Sequence, residues 1–252
     1  MKKTIKQGML LGILLTVSMS LYSINPEKEL VFTHKIVAGF NFGASTPLPI
    51  PDEIEKIKGW WPQFAPQLGY NIKCNSHSKW GVGSGILLNF KGMGTKSEVK
   101  YLYTQVVMEK DKDTKLRGYF SGNNKMEVKT AYVTVPLYAT YNFNEKWQVR
   151  LGGYASYLFS GEFTGTVSDG YLRVETPTGE KVEIEEATFD FGDDIRTFDL
   201  GLTMGGEYNI NQRFGVYANL DWALTPLFPS DFNLMAFKLR NIYVGVGLTY
   251  KL

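Results

Sequence analysis

Apolar and polar residues alternate with a period of two along the C-terminal half of this chain. In residues 131–143, 147–163, 198–210, 214–224 and 242–252, every second position is apolar, aromatic or glycine and none is charged. The intervening positions carry charges such as Arg150, Asp199 and Glu207. A period of two indicates β-strands with one apolar and one polar face. Several such strands of about ten residues are typical of a transmembrane β-barrel with lipid outside and a polar interior.

The connections between the predicted strands alternate between short and long. We predict eight strands, at residues 34–46, 64–74, 80–93, 127–143, 147–164, 197–210, 213–225 and 239–252. Barrels of the outer membrane have short periplasmic turns and long extracellular loops. The predicted fold is therefore an all-β, eight-stranded, antiparallel, up-and-down transmembrane β-barrel of the Gram-negative outer membrane. Its even strand number places both termini in the periplasm.

The N-terminus has the features of a secretory signal peptide. Lysines at positions 2, 3 and 6 precede an apolar stretch at 8–17, and Ser18, Ser20 and Ser23 follow it. We predict a signal peptide over residues 1–23 and a barrel domain over residues 24–252. Its removal takes three lysines from the 27 Lys and Arg, and the 24 that remain face 25 Asp and Glu, so the net charge falls from +2 to −1. The composition therefore gives no support to a nucleic-acid partner.

Charged residues on the polar parity are expected to line the lumen. The interior of an eight-stranded barrel holds little besides side chains, so charges there must pair or meet water. Arg150 and Glu207 fall at similar heights on adjacent strands and are predicted to pair. A closed network of salt bridges is our first interpretation and a narrow hydrophilic path is the second. The predicted lumenal residues are Lys91, Arg150, Glu162, Asp199, Glu207 and Asp221.

Aromatic residues concentrate near the ends of the predicted strands. Two such rows are typical of the girdles at the interfaces of a bilayer. The periplasmic row is predicted to contain Trp80, Phe143, Trp147, Phe214 and Tyr250, and the outer row Phe90, Phe163 and Trp222.

The long loops carry structure of their own in this interpretation. Residues 51–59 combine proline and acids at the start with a glycine at the end, which predicts a short helix. Val99, Tyr101 and Tyr103 continue the alternation, and residues 177–179 resemble a hairpin turn, so two loops are predicted to be β-extensions above the membrane. Residues 94–126 carry a charge of +3 and residues 165–195 a charge of −7. These charges indicate solvated hairpins, pairing between the loops, or a binding surface.

Candidates for chemistry are few. The single cysteine, Cys74, lies on the apolar parity and is expected to face lipid. The two histidines, His34 and His77, have no nucleophile or metal-ligand partner at a suitable spacing. We predict no catalytic residue, cofactor or metal. An enzyme at the barrel rim that uses loop carboxylates such as Glu185 and Glu186 is the remaining catalytic alternative.

Several strand motifs resemble the PorT-like outer-membrane β-barrel family of Bacteroidetes. They are Tyr132-Val133-Thr134-Val135-Pro136-Leu137-Tyr138, Leu151-Gly152-Gly153-Tyr154, Asp199-Leu200-Gly201-Leu202, Gly205-Gly206-Glu207-Tyr208 and the C-terminal Val246-Gly247-Leu248-Thr249-Tyr250-Lys251-Leu252. The resemblance covers the mature chain and concerns barrel strands. The terminal Leu252 departs from the phenylalanine with which many barrels end. The resemblance implies a role beside protein-secretion machinery of the type IX class.

The expected function is that of a small, non-enzymatic and monomeric barrel that presents its loops to a partner. Its expected partners are outer-membrane lipids and an envelope or secretion-system protein. A narrow passive channel is the main alternative. A soluble lipocalin-like carrier would need the opposite parity, with apolar residues inside.

Overall fold

The computed structural model describes residues 30–76, 79–108, 111–235 and 237–252 and consists almost entirely of β-strands. The ten strands are β1 (Leu30–Pro47), β2 (Ile54–Pro62), β3 (Pro66–Ser76), β4 (Trp80–Met108), β5 (Asp111–Asn142), β6 (Trp147–Val174), β7 (Lys181–Asp190), β8 (Phe198–Asn209), β9 (Phe214–Ala223) and β10 (Leu239–Lys251). A short 3-10 turn lies at Gly192–Asp194. The predicted signal peptide lies outside the described residues. Among the residues that the structure describes, no helix is long and apolar enough to cross a membrane.

Eight of the strands close into a ring, which confirms the predicted fold class. Every neighbouring pair is antiparallel, in the order β1, β3, β4, β5, β6, β8, β9, β10 and back to β1. The closing pair joins β1 to β10, from Lys35 opposite Lys251 to Pro47 opposite Leu239. Over the levels where all eight strands pair, closure leaves the ring without an open edge, as a sheet in lipid requires.

The remaining strands, β2 and β7, extend the sheet beyond the ring. One edge of β4 pairs in succession with β3, β2 and β7. Since β7 also pairs with β6, strands β4, β5, β6 and β7 form a second, smaller ring. We call residues 93–128 and 163–190 the β extension. The predicted β structure of these two loops is confirmed.

The helix predicted over residues 51–59 is wrong. Residues 54–62 form β2 instead, in which Ile54 lies opposite Val99 and Pro62 opposite Met93. Above β3, the long strand β4 has an edge that needs hydrogen-bond partners. The pairing on this edge overrides the local signals for a helix.

The polarity of the sheet inverts where the β extension begins. Along the ring portion of β5, Val135 and Leu137 are exposed on the outside, whereas Thr134 is buried inside. Beyond Ala131, Lys129 is exposed on the outside and Val128 is fully buried inside. The ring therefore has an apolar exterior and a polar interior, and the β extension has the reverse arrangement, with its own apolar core.

A β-bulge in β6 contributes to this inversion. Ala131 lies opposite Ser160 and Tyr132 lies opposite Leu158, so Phe159 is the extra residue. An added residue in one strand moves every following side chain to the other face of the sheet. Below the bulge, Tyr157 is exposed on the outside, whereas above it Phe163 is buried inside.

Candidate functional site

Among the described residues, the lumen contains three layers of polar contacts, and the lowest lies near the C-terminus. The ammonium group of Lys35, on β1, forms an ion pair with the carboxylate of Glu207, on β8. The Thr249 hydroxyl donates a hydrogen bond to the same carboxylate at 2.7 Å. Both charged side chains are largely buried, so their charges compensate each other within the barrel.

The middle layer is centred on Arg150. Its Nε donates to the side-chain oxygen of Asn219 at 2.6 Å. Its guanidinium lies 5.4 Å from the ring centroid of Tyr138 and 5.5 Å from that of Tyr217. Tyr217 and Gln67 share a further hydrogen bond of 2.6 Å. The guanidinium therefore spans the lumen between β6 and β9, with aromatic rings on its faces.

The predicted ion pair between Arg150 and Glu207 is wrong. The residue opposite Arg150 on β8 is Gly205, and a side chain there would meet the Asn219 oxygen at 2.2 Å. This glycine leaves room for Arg150 to reach past β8 to Asn219. Glu207 pairs with Lys35 instead.

The upper layer buries a lysine among three tyrosines. Lys91 is 2% exposed, and its Nζ lies 3.3 Å from Oδ2 of Asp199. The ring centroids around this Nζ, at 5.2, 5.1 and 5.8 Å, are those of Tyr132, Tyr154 and Tyr243. The negative faces of aromatic rings attract a cation, so this cage adds to the attraction of Asp199.

Asp199 has further donors around it. The hydroxyl of Thr225 donates to Oδ1 at 2.8 Å, and the Tyr154 hydroxyl and the Asn241 amide approach Oδ2, each at 3.4 Å. Below this layer, the Thr203 hydroxyl donates to Asp221 at 2.7 Å. Asp199 and Asp221 therefore each have hydrogen-bond partners, as anions inside a barrel require.

Apolar side chains close the barrel above the Lys91 layer. Phe163 is fully buried, and its ring centroid lies 4.9 Å from that of Phe228 and 6.1 Å from that of Phe191. Leu227 and Leu239 belong to the same cluster. The polar lumen is thus covered by a continuous apolar core at the end that bears the β extension.

Two of the predicted site residues lie on the opposite face of the sheet from the one predicted: Glu162 is outside and Phe163 is inside. Glu162 lies on the outer surface, where it pairs with Lys129 at 3.3 Å, and both side chains are more than half exposed. Phe163 lies in the apolar core and is therefore not a girdle residue. The bulge at Phe159 explains both errors, because strict alternation continued through it assigns each residue to the wrong face.

The other predicted girdle residues lie on the outside of the ring. At the end of the ring that holds the C-terminus, Trp80 and Tyr141 contact each other, as do Trp147 and Tyr208, and Phe214 and Tyr250. Phe143 is exposed at the same end. Towards the β extension, Phe90 contacts Phe159, and Trp222 is exposed. These positions are compatible with two interfacial rows.

The tyrosine cage was missed in the sequence, although a signal for it was present. Tyr132 and Tyr154 fall on the polar parity of their strands, where a tyrosine ring must lie inside the barrel. A buried tyrosine needs a partner for its hydroxyl and offers a ring face to a cation. Three strands supply the rings, so only the closed ring brings them together.

The predicted absence of chemistry remains a prediction. His34 lies beside Tyr70, whose hydroxyl is 2.5 Å from its Nδ1, and Cys74 is half-buried on β3, where apolar outward residues precede it. His77 lies outside the described residues. Over the part of the chain that the structure describes, no group of three or more His, Cys, Asp or Glu side chains is placed to hold a metal ion.

The closed antiparallel ring, with its apolar exterior and polar interior, defines a class of protein, the transmembrane β-barrels. The chain belongs to the outer membrane protein beta-barrel domain family, whose model matches residues 32–229. No curated protein matches the chain.

The comparison with solved structures includes two matches of low sequence identity. One is Ail, the attachment invasion locus protein of Yersinia pestis, in complex with the heparin analogue sucrose octasulfate; it has 13% sequence identity and a TM-score of 0.33, over 88% of this chain and 97% of that chain. The other is a triple mutant of the Rhodopseudomonas blastica porin, with 8% identity and a TM-score of 0.20, over 89% of this chain and 100% of that chain.

An arginine on the outside of the ring is expected to destabilise the protein in a bilayer. Val135 and Leu200 are 46% and 49% exposed there, so Val135→Arg or Leu200→Arg places a charge in hydrocarbon, at a cost of about 2–4 kcal/mol near the bilayer midplane. Denaturant titration in lipid vesicles measures this loss. The control is Glu127→Arg, which lies on the outer surface of the β extension. Equal losses in all three variants would contradict the inverted polarity.

Proposed function

We propose that this protein is a closed, non-conducting and non-enzymatic anchor that holds the β extension at the cell surface for a protein partner. The observation that supports it is the second ring of β4, β5, β6 and β7, which continues the barrel and has its own apolar core. Loops that need only connect strands do not require such a core. A preformed surface of this kind loses little conformational entropy when a partner binds.

The charge distribution of the β extension is compatible with a binding surface. The acidic stretch at residues 165–195 and the basic stretch at 94–126 belong to one body, since β4 and β5 share the core with β6 and β7. An ion pair joins Lys58 to Glu98 at 2.8 Å, and this contact lowers the pKa of the Glu98 carboxyl. The PorT-like resemblance suggests a partner in the envelope or in a secretion machinery, and this assignment remains part of the proposal.

Labelling of intact cells tests the orientation that this function requires. Thr178 lies in the turn at the tip of the β extension, and Glu145 lies in a turn at the opposite end of the barrel. In a Cys74→Ser background, we expect a membrane-impermeant maleimide to label Thr178→Cys on intact cells and to label Glu145→Cys only after permeabilisation. The reverse pattern would place the β extension in the periplasm and overturn the proposal.

The same two cysteines test for the partner. A photoactivatable cross-linker attached at Thr178→Cys should give a defined protein adduct in native outer membranes, identified by mass spectrometry. The Glu145→Cys protein, labelled after permeabilisation, is the matched control and should lack that adduct. Absence of any specific adduct at several exposed positions of the β extension would count against partner binding.

The purified protein is expected not to conduct ions. Side chains fill the lumen in three layers, and the apolar core covers them, so no continuous water path is expected. The measurement is conductance in planar bilayers, with a trimeric porin reconstituted in parallel. Frequent, stable conductance steps from the wild-type protein would favour the alternative of a narrow channel.

A further inference from the structure

The wall of the barrel is split between β1 and β2. Pairing of β1 with β3 ends at Phe40 opposite Pro66, and one further backbone hydrogen bond joins Asn41 to Ala65. Above this point β2 pairs with β4 alone. Two strand edges, at residues 42–47 and 54–62, therefore face each other without a ladder between them in the described sheet. We call this gap the lateral cleft.

The lateral cleft opens into an apolar cavity of about 220 Å³. Its lining includes Ala44, Ile57, Trp60, Met93, Met126 and Phe237. A somewhat smaller apolar cavity, of about 150 Å³, is large enough to bind benzene. At the mouth, Ile57 and Trp60 are 54% and 48% exposed, although Met93 behind them is almost fully buried. The apolar surface thus continues from the outside of the barrel to its inside.

The cleft lies at the level where the apolar exterior ends. Just below it, Phe42 and Phe64 are 45% and 81% exposed on the outer surface. Beside it, the ring of Trp61 lies against Gly94 and has Lys125 Nζ 5.8 Å from its centroid. Tryptophan and lysine in this arrangement are typical of the interface between hydrocarbon and headgroups. The mouth therefore faces the bilayer near the headgroups.

We propose that the lateral cleft binds an acyl chain of a lipid from the adjoining leaflet. The acyl chain enters between β1 and β2 and lies against Met93, Met126 and Phe237. Methionine side chains adapt their shape to a flexible apolar ligand. Thr46 lines the cavity, and Arg240 lies opposite it on β10, where it supplies a cation for the phosphate of the headgroup. A protein segment is disfavoured as the occupant because the cavity is narrow and its opening faces lipid. The proposal does not depend on the partner or the orientation proposed above.

Photo-cross-linking from matched phenylalanine positions tests this site. Benzoylphenylalanine replaces Phe237 in the cavity, Phe159 on the lipid-exposed exterior, or Phe120, which is fully buried in the β extension and does not line the cavity. Each protein is folded in vesicles of phosphatidylethanolamine and phosphatidylglycerol, illuminated and analysed by intact mass spectrometry. Heat-modifiable gel migration confirms that each variant is folded. We expect phospholipid adducts at positions 237 and 159 and none at position 120.

A variant that fills the cavity shows whether the adduct arises inside it. Ser97 is buried and lines the cavity, so Ser97→Phe should remove the adduct at position 237 and leave the adduct at position 159 unchanged. Persistence of the adduct at 237 in this variant would overturn the proposal. So would adducts at 159 alone, or cross-links from 237 only to other segments of the same chain. If benzoylphenylalanine at 237 prevents folding, the same comparison is made at Met93.

Discussion

Replacement of Lys91 by methionine is expected to destabilise the barrel strongly. The side chains of Lys91 and Asp199 are only 1% and 6% exposed, so Lys91→Met leaves a buried carboxylate without its counter-charge. Removing one partner of a buried ion pair costs about 3–5 kcal/mol. The double variant Lys91→Met with Asp199→Asn removes both charges and should recover part of the loss. Guanidinium unfolding in vesicles, followed by tryptophan fluorescence, measures the free energy of unfolding.

The chain contains a matched control for this measurement. Lys129 and Glu162 lie at the same N···O distance of 3.3 Å, but their side chains are 53% and 60% exposed. Exposed pairs contribute about 0–1 kcal/mol, so Lys129→Met should leave stability nearly unchanged. Similar losses from Lys91→Met and Lys129→Met would show that the Lys91 cage is open to water, contrary to the structure.

Phe163→Ala is expected to have the second large effect, through the core of the β extension. Phe163 is fully buried and contacts Phe189, Phe191 and Phe228. Truncation of a buried phenylalanine to alanine costs about 3–5 kcal/mol. The matched control is Phe159→Ala on the same strand, because Phe159 is 51% exposed and shares the sequence parity of Phe163. Proteolysis of the folded protein in vesicles should cut the β extension faster only in the Phe163 variant. Equal behaviour of the two variants would show that no bulge separates them.

The alternation of apolar and polar residues predicted the ring because every strand of a barrel wall follows the same simple pattern. Each ring strand must place apolar residues outside and polar residues inside, and this rule is visible in single strands such as β8 and β9. The pairing of consecutive strands then follows from the short turns. Thus the eight strands, their up-and-down order and the inward side of Asp199 could be predicted without any knowledge of contacts.

The parts that could not be predicted depend on contacts between distant residues. The bulge at Phe159 is invisible in the sequence because Phe159 and Phe163 are both aromatic and suit either face. Strand β2 forms because β4 extends above β3 and offers a free edge. The residues 54–62 themselves contain no local signal that predicts this pairing. The partner of Glu207 depends on which side chain crosses the lumen, and this requires the closed ring. Register and closure therefore determine the site more than strand composition does.

The pairing of β1 with β10 also determines the order in which the barrel can assemble. Every other contact of the ring joins strands that follow one another closely along the chain, whereas Lys35 and Lys251 come together from opposite ends. Contacts between distant parts of a chain form slowly, because a long loop must be closed before they contribute any stability. The hairpins, including the long one formed by β4 and β5, can therefore form first. We therefore expect the β1–β10 pairing to form last, and with it the closed ring that a membrane requires.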